Sequence, residues 1–107
     1  MKIIYNGLIP AKRFVAMTVW PLLFVRKEFD NMEMPFVFNH ERIHAAQQKE
    51  LLLVGFYIIY LYEWIRNLIR YKDSAKAYRM ISFEAEAYLN EYDLNYLKRR
   101  KHFAQWK

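Results

Sequence analysis

The stretch from Leu51 to Tyr62 limits the folds open to this chain more than any other feature. Its twelve residues are apolar around every face of a helix, and a polar stripe returns at helical spacing only from Glu63 onward. A helix that spans a bilayer needs about 20 apolar residues, so this stretch is too short to cross one. The fold must therefore cover it in one of three ways: as a buried core helix, as an oligomer interface, or as a helix lying against a membrane surface.

A helical pattern continues on both sides of this stretch. One straight helix from Pro35 to Tyr71 would be about 55 Å long at a rise of 1.5 Å per residue, which is too long for so small a globule. We therefore predict a break or kink before or at Gly55. The first part of the helix can begin at Pro35, or Asn39 can be its N-cap, and the sequence leaves both starts open.

The flanking segments predict two further kinds of element. Residues Lys2 to Ile4 and Phe14 to Val25 are β-branched or aromatic and are interrupted by turn residues, which predicts short strands in a small antiparallel sheet, with Pro21 at a bend, an edge or a bulge. A second helical region runs from Ser74 to Lys101, with Ser74 as its N-cap. Together the patterns predict one α+β domain over residues 1–107, predominantly helical.

The residue types that are missing restrict the chemistry. The chain has no cysteine, which excludes disulfides, thiolate zinc sites and a cysteine nucleophile, and leaves histidine, glutamate and aspartate as the strong metal ligands. The N-terminus lacks the pattern of a secretory signal. We therefore expect a cytoplasmic protein, with membrane association as the alternative if the apolar stretch lies on a bilayer.

The net charge of +6 has a concentrated source near the end of the chain, the run Lys98-Arg99-Arg100-Lys101. Such a run can attract nucleic acid or an anionic membrane. It is also typical of a solvated helix terminus, where cations favour the negative end of the helix dipole. Because no nucleic-acid-binding motif accompanies the run, we expect the solvated terminus and no specific nucleic-acid partner.

The segment Asn39-His40-Glu41-Arg42-Ile43-His44 contains the pattern His-Glu-x-x-His. On a helix, His40 and His44 stand one turn apart on one face, so both imidazoles can reach a single ion, and Glu41 lies beside them. A catalytic zinc site has three protein ligands and an open fourth position, so a third ligand must come from elsewhere in the chain. The alternative is a helix whose histidines only cap or pack.

Two glutamates in the second helical region are candidates for the third ligand. Glu84 and Glu86 are two positions apart and point about 200° away from each other, so only one can face the motif helix. We predict Glu84, because it lies on an otherwise bulky or apolar stripe, whereas Glu86 lies on a polar one. A purely structural alternative pairs Glu84 with Arg42 or Arg79. The residues that share the stripe of Glu84 are Ala77, Ile81 and Tyr88.

The sequence from His40 to Tyr88 resembles the gluzincins, zinc peptidases in which a glutamate from a later helix joins the two motif histidines. It is similar to the minimal one-domain forms and to the membrane-linked CAAX prenyl protease and heat-shock peptidase group, which carry Glu-x-x-Ala on that helix, as in Glu84-Ala85-Glu86-Ala87. The aspartate that commonly follows is Tyr88 here, so this position offers no carboxylate contact to a motif histidine. The whole chain also resembles a small family of bacterial proteins with Asn-His-Glu-Arg-x-His and Ile-Ser-Phe-Glu-x-Glu-Ala-Tyr.

The resemblance implies a zincin-like fold in which the N-terminal sheet packs on the motif helix and its edge binds a peptide or protein substrate. Zn²⁺ would be held by His40, His44 and Glu84, and Glu41 would be the general base of a metallopeptidase. Two alternatives stay open. The chain can be a zinc-binding but inactive structural or regulatory protein, or an interaction module that uses Leu51 to Tyr62 for homo-oligomer or peripheral membrane contact.

Overall fold

A computed structural model describes residues 2–10, 14–30 and 32–106. These residues form a predominantly helical α+β structure with a small N-terminal sheet, which confirms the predicted class at that level. The described elements are the strands β1 (Lys2–Asn6), β2 (Ala16–Val19) and β3 (Leu22–Arg26) and the helices α1 (Pro35–Glu50), α2 (Val54–Tyr71), α3 (Ser74–Arg79), α4 (Ser82–Asn90) and α5 (Tyr96–Arg99).

The sheet is mixed, with the strand order β1-β3-β2. Strand β2 is antiparallel to β3, but β1 is parallel to β3, so the prediction of an antiparallel sheet is wrong for β1. The physical reason is the length of the connections. A tight turn at Trp20 and Pro21 forces β3 back along β2, whereas residues 7–15 are enough chain to carry β1 to the opposite side of β3. Strand β2 is consequently an edge strand, and it packs against α1.

Helices α1 and α2 are separated by a sharp turn just before Gly55, where a break was predicted, and their axes are bent by 110°. Leu52 and Leu53 have φ angles of 56° and 62°, in the left-handed region that leucine rarely adopts. The N–H of Val54 donates to the carbonyl of Leu52 at 2.6 Å, which closes a tight γ-type turn around Leu53. The turn directs α2 back over the core, so that its tyrosines approach α4.

Helix α1 begins at Pro35, with Met34 as its N-cap residue, so Asn39 is not the cap. The predicted helical region from Ser74 to Lys101 contains three separate helices, α3, α4 and α5, and not one continuous helix. The N-cap of α3 is Asp73 and not Ser74, since its carboxylate accepts the backbone N–H groups of the first helical turn at 3.0 and 3.2 Å.

A long-range interaction explains the start of α4. The buried carboxylate of Glu63, on α2, accepts both the backbone N–H and the hydroxyl of Ser82 at 2.8 Å. An acidic group at a helix N-terminus stabilises the unpaired N–H groups and the positive end of the dipole. The side chain that caps α4 therefore comes from another helix, which a local pattern in the sequence does not reveal.

Helix α2 buries only one of its faces, which includes Phe56, Glu63 and Asn67. Its outer face is exposed, so of the three alternatives for this stretch a fully buried core helix is wrong for that face. The exposed apolar side chains on it are Val54, Ile58, Leu61, Tyr62, Ile65 and Ile69. Across residues 2–10, 14–30 and 32–106, no single helix is long and apolar enough to cross a membrane; α1 and α2 reach that length and composition only together, as the bent pair.

The basic run does not behave as a uniform solvated terminus. Lys98, Arg99 and Lys101 are exposed, but the side chain of Arg100 is only 5% exposed and lies between the carboxylates of Glu50 and Glu86. Arg100 therefore joins the C-terminal segment to α1 and α4 through a buried ionic cluster. The sequence predicts Glu86 on a polar face, away from the packed stripe of Glu84, but the side chain is buried. The reason is that α4 packs against α1 on one side and against the C-terminal segment on the other.

We predict that Arg100→Met lowers the free energy of unfolding by about 3 to 5 kcal/mol, because removing one partner leaves two carboxylates buried without their cation. Arg99→Met is the matched control. The side chain of Arg99 is 60% exposed and pairs with Asp93 at the surface, so its loss should change the free energy by no more than about 1 kcal/mol. Urea unfolding followed by circular dichroism measures both values, and equal losses in the two variants contradict the buried cluster.

Candidate metal centre

Helix α1 places the two motif histidines side by side. His40 and His44 are 7% and 6% exposed, and their Nε2 atoms lie 3.1 Å apart. Helix α4 brings Glu84, which is also buried, to the same point, with its Oε1 3.1 Å from Nε2 of His44 and 3.4 Å from Nε2 of His40. The three residues predicted from the sequence as ligands therefore converge through one atom each.

The spacing of these three atoms fits a tetrahedral metal ion. Ligand atoms at about 2.0 to 2.1 Å from zinc in tetrahedral geometry are about 3.3 Å from each other. The observed separations of 3.1, 3.1 and 3.4 Å are close to that value. Two imidazole nitrogens and a carboxylate oxygen are a donor set that zinc accepts, and the set leaves a fourth position for a water or a substrate.

The side chain of Gln47 determines which nitrogen of His44 is free to bind a metal. The Gln47 amide nitrogen lies 3.0 Å from the carbonyl of Phe83 and 2.9 Å from the carboxylate of Glu86. Both partners only accept hydrogen bonds, so the amide oxygen must face the other way, toward Nδ1 of His44 at 2.8 Å. Nδ1 therefore carries the hydrogen, and in the neutral ring the lone pair is on Nε2, which faces His40 and Glu84.

His40 is oriented by different neighbours. The ring of Tyr88 packs edge-on against its imidazole, with a centroid separation of 4.5 Å. A carboxylate oxygen of Glu91 lies 3.6 Å from Nδ1, so a carboxylate does stand behind this histidine although Tyr88 occupies the expected aspartate position. The Asn39 amide donates to the carbonyl of Glu91 at 2.8 Å, and to two neighbouring carbonyls, which holds the end of α4 against the start of α1.

The partners of Glu84 are the two histidines and Tyr60, whose hydroxyl donates to Oε2 at 2.8 Å. Neither arginine of the structural alternative contacts it: Arg79 lies 3.8 Å over the ring of Tyr88, and Arg42 is exposed. Burial raises the pKa of Glu84, but His44 and the hydrogen bonds from the histidines and Tyr60 outweigh it and hold the pKa well below its usual value. Glu84 is therefore a carboxylate, ready to bind a cation.

The pKa of His44 shows how strongly this point attracts positive charge. Burial lowers the pKa of the imidazole, but the carboxylate of Glu84 and, more weakly, that of Glu41 raise it to about 9. Without a metal, a proton supplies the cation that the buried carboxylate requires. A zinc ion would take the place of that proton.

Glu41 lies on α1 between the two histidines in sequence and is 8% exposed. Burial raises the pKa of its carboxyl, and the nearby histidines oppose that rise. The hydroxyl of Thr18, on the edge strand β2, donates to its Oε1 at 2.8 Å. Glu41 is thus oriented by the sheet, and its raised pKa brings its affinity for a proton closer to what a general base needs at neutral pH.

A cavity of about 240 Å³ lies beside the candidate metal ligands and Glu41. Glu41, His44 and Glu84 line it together with the edge strand β2 and the inner face of α2. The remaining described lining residues are Pro10, Phe14, Ala16, Met17, Thr18, Gln48, Phe56, Tyr57, Tyr60 and Tyr78. The wall is largely aromatic and aliphatic with a few convergent polar groups, which is typical of a binding site.

Comparison of the chain with protein-family models, with curated proteins and with solved structures finds no match. Neither the gluzincin family nor a zincin-like fold is shown by similarity. What supports a metal centre is therefore the chemistry of the three residues and the spacing of their ligand atoms.

Four residues of the site were missed by the sequence reasoning. Gln47 lies three residues after His44 on the same helical face, so a search for side chains one turn from each histidine would have found it. Thr18, Tyr60 and Glu91 reach the site from β2, α2 and the end of α4. Their positions depend on how separate elements pack, and no spacing in the sequence indicates them.

We predict that Glu84→Gln weakens zinc binding at least about 100-fold, because it removes a ligand. Substitution of groups that only orient the ligands already lowers metal affinity about 10- to 100-fold. Glu86→Gln should keep zinc affinity within about tenfold. It should instead destabilise the fold, because Arg100 loses a buried partner. Competition with a chromophoric chelator measures affinity, and urea unfolding measures stability; a larger loss of zinc affinity in the Glu86 variant overturns the assignment.

Gln47→Met and Gln48→Met form a second matched pair, since both glutamines are buried on α1. Gln47 orients His44, so its loss should weaken zinc binding about 10- to 100-fold. Gln48 bonds to the backbone of Thr18 in β2 and of Trp20 just after it, so its loss should lower stability and leave zinc affinity largely unchanged. The same chelator competition tests the pair, and indistinguishable zinc affinities count against the orienting role of Gln47.

Proposed function

We propose that this chain is a zinc-dependent peptidase with a zincin-like arrangement of sheet, motif helix and glutamate helix. The observation that carries the proposal is the convergence of His40, His44 and Glu84 at tetrahedral spacing, beside a cavity that also contains Glu41. A structural zinc site is closed by four protein ligands, whereas the described residues supply three and adjoin a cavity. The open position favours catalysis over a purely structural metal.

The chain's own residues have distinct roles in this proposal. His40, His44 and Glu84 hold the ion, and Gln47 fixes the tautomer of His44. When bound, the zinc ion supplies the Lewis acidity that activates a water and polarises the scissile carbonyl. Glu41 accepts the proton of the attacking water and then delivers it to the leaving amine, a sequence to which its buried position and raised pKa are suited.

The edge of β2 is a suitable place for an extended peptide. The N–H of Arg26, at the end of β3, donates to the carbonyl of Val15 at 3.1 Å. Backbone pairing alternates along an antiparallel ladder, so the groups of Ala16 and Thr18 point away from β3, toward the outer edge. An extended substrate can add to that edge as a further strand, which places its backbone along the cavity wall.

Gln48 occupies the far end of the same edge. Its amide donates to the carbonyl of Thr18 at 2.9 Å and accepts the N–H of Trp20 at 2.6 Å, as a peptide group of a neighbouring strand would. Gln48 thus closes the edge at the carbonyl of Thr18 and the N–H of Trp20. Among the described residues, no such pairing partner is found for the outward groups of Ala16, which lines the cavity. A peptide or protein with an extended, accessible segment is the substrate class that this geometry fits.

We predict that Glu41→Gln retains bound zinc and the fold but loses hydrolysis by at least about 100-fold, since the amide matches the shape of the carboxylate but cannot accept the proton. Glu33→Gln, an exposed residue outside the cavity, is the control. Cleavage of a peptide mixture by the zinc-loaded chains, read by mass spectrometry, measures the effect. Parental cleavage rates in the Glu41 variant rule out its role as the base.

The inactive alternative has its own test, which needs no substrate. Cobalt substituted for zinc reports its coordination through its visible spectrum, and a small hydroxamate binds a metal only if a position is open. We expect the spectrum of the cobalt-loaded chain to change when the hydroxamate is added. An unchanged spectrum indicates a closed, structural site and contradicts a hydrolytic function.

A further inference from the structure

The outer face of α2 is a continuous apolar surface that the described part of the chain leaves exposed. Six side chains on it, from Val54 to Ile69, are each between 47% and 73% exposed. Their spacing places them within an arc of roughly 100° along the whole helix. They are Val54, Ile58, Leu61, Tyr62, Ile65 and Ile69. A contiguous exposed patch of this kind marks an interaction surface.

The two borders of this apolar face differ in chemistry. On one side lie Arg66 and Arg70, which are both exposed, and the guanidinium of Arg66 lies 5.7 Å from the ring centre of Tyr62. On the other side lie Tyr57 and Trp64, each more than a third exposed. Arginines can extend past an apolar face toward phosphate groups, and tyrosine and tryptophan favour the boundary between acyl chains and headgroups.

The exposed charges along α2 indicate which kind of partner its apolar face binds. Glu63 is the one acidic residue of α2, and its carboxylate is buried and bonded to Ser82. Every exposed charge on α2 is therefore positive, and Lys72 adds another directly after the helix. A second copy of this face packed on the first would bring like charges together, whereas an anionic lipid surface complements them.

We propose that α2 lies in the plane of an anionic membrane surface, with its apolar face among the acyl chains and Arg66 and Arg70 at the lipid phosphates. The helix is too short in apolar length to span, and its opposite face packs on the protein core, so the contact is peripheral. This proposal concerns the outer face of α2 and does not depend on zinc or on hydrolysis.

The test is flotation of the full chain with vesicles of phosphatidylcholine alone or with roughly one third phosphatidylglycerol. We expect binding to the anionic vesicles, with a decrease at high salt because screening weakens the electrostatic part. Ile58→Ser with Ile69→Ser should lower the partition coefficient by about tenfold or more. Leu89→Ser, an exposed residue on α4, is the matched control and should bind as the parent does.

Two further variants separate charge from insertion. Arg66→Gln and Arg70→Gln should each lower binding to anionic vesicles by about fivefold and leave binding to neutral vesicles unchanged. The chain has no cysteine, so Leu61→Cys and Leu89→Cys can each be labelled at a single site with an environment-sensitive dye. Only the dye at position 61 should show a blue shift of its fluorescence emission when anionic vesicles are added.

Three results overturn the proposal. The first is the absence of flotation with anionic vesicles, and the second is flotation that the double serine variant leaves unchanged. The third is a stable dimer of the parent in analytical ultracentrifugation that dissociates in the double serine variant, since that outcome assigns the face to a second copy of the chain.

Discussion

The rest of the structure depends on how the charge of one buried carboxylate is compensated. Glu84 lies beneath the surface between two imidazoles, and an uncompensated carboxylate there would strongly oppose folding. With Nδ1 of His44 bonded to Gln47, a neutral His44 turns a lone pair toward Glu84, so the positive charge must come from an added proton or a metal ion at Nε2. A cation at this point removes the conflict and also links α1 to α4, so its binding energy adds to the stability of the native state.

The two buried glutamates of α4 both need a compensating positive charge, and the structure meets that need in two different ways. Glu86 points to one side of the helix and is paired with Arg100, which comes from the C-terminal segment. Glu84 points to the other side, where no arginine reaches it among the described contacts and two histidines face it instead. The chain thus supplies a permanent cation for the first carboxylate and two imidazole nitrogens, a common type of metal ligand, for the second. This contrast favours a metal centre over a plain ion pair.

Local features of the structure follow from the sequence, and long-range features do not. Three features depend on the geometry of single helices, so residue spacing predicts them. They are the spacing of His40 and His44, the helical face on which Glu84 lies and the break before Gly55. The burial of Glu86 depends on a segment that packs against the second side of α4, and the division of the predicted helix from Ser74 to Lys101 depends on a cap from α2. The parallel pairing of β1 likewise depends on the path of a connection rather than on any strand pattern.

The most direct test of the account is metal analysis of the full chain purified without added metal, beside His44→Ala prepared in the same way. Two imidazoles and a carboxylate beside a cavity should bind zinc, so we expect close to one zinc per parental chain and a large loss of zinc in the variant. A parental chain that carries no zinc, and takes none up in a saturable titration, contradicts the claim that Glu84, His40 and His44 form a metal centre. Equal zinc content in the two proteins contradicts it as well.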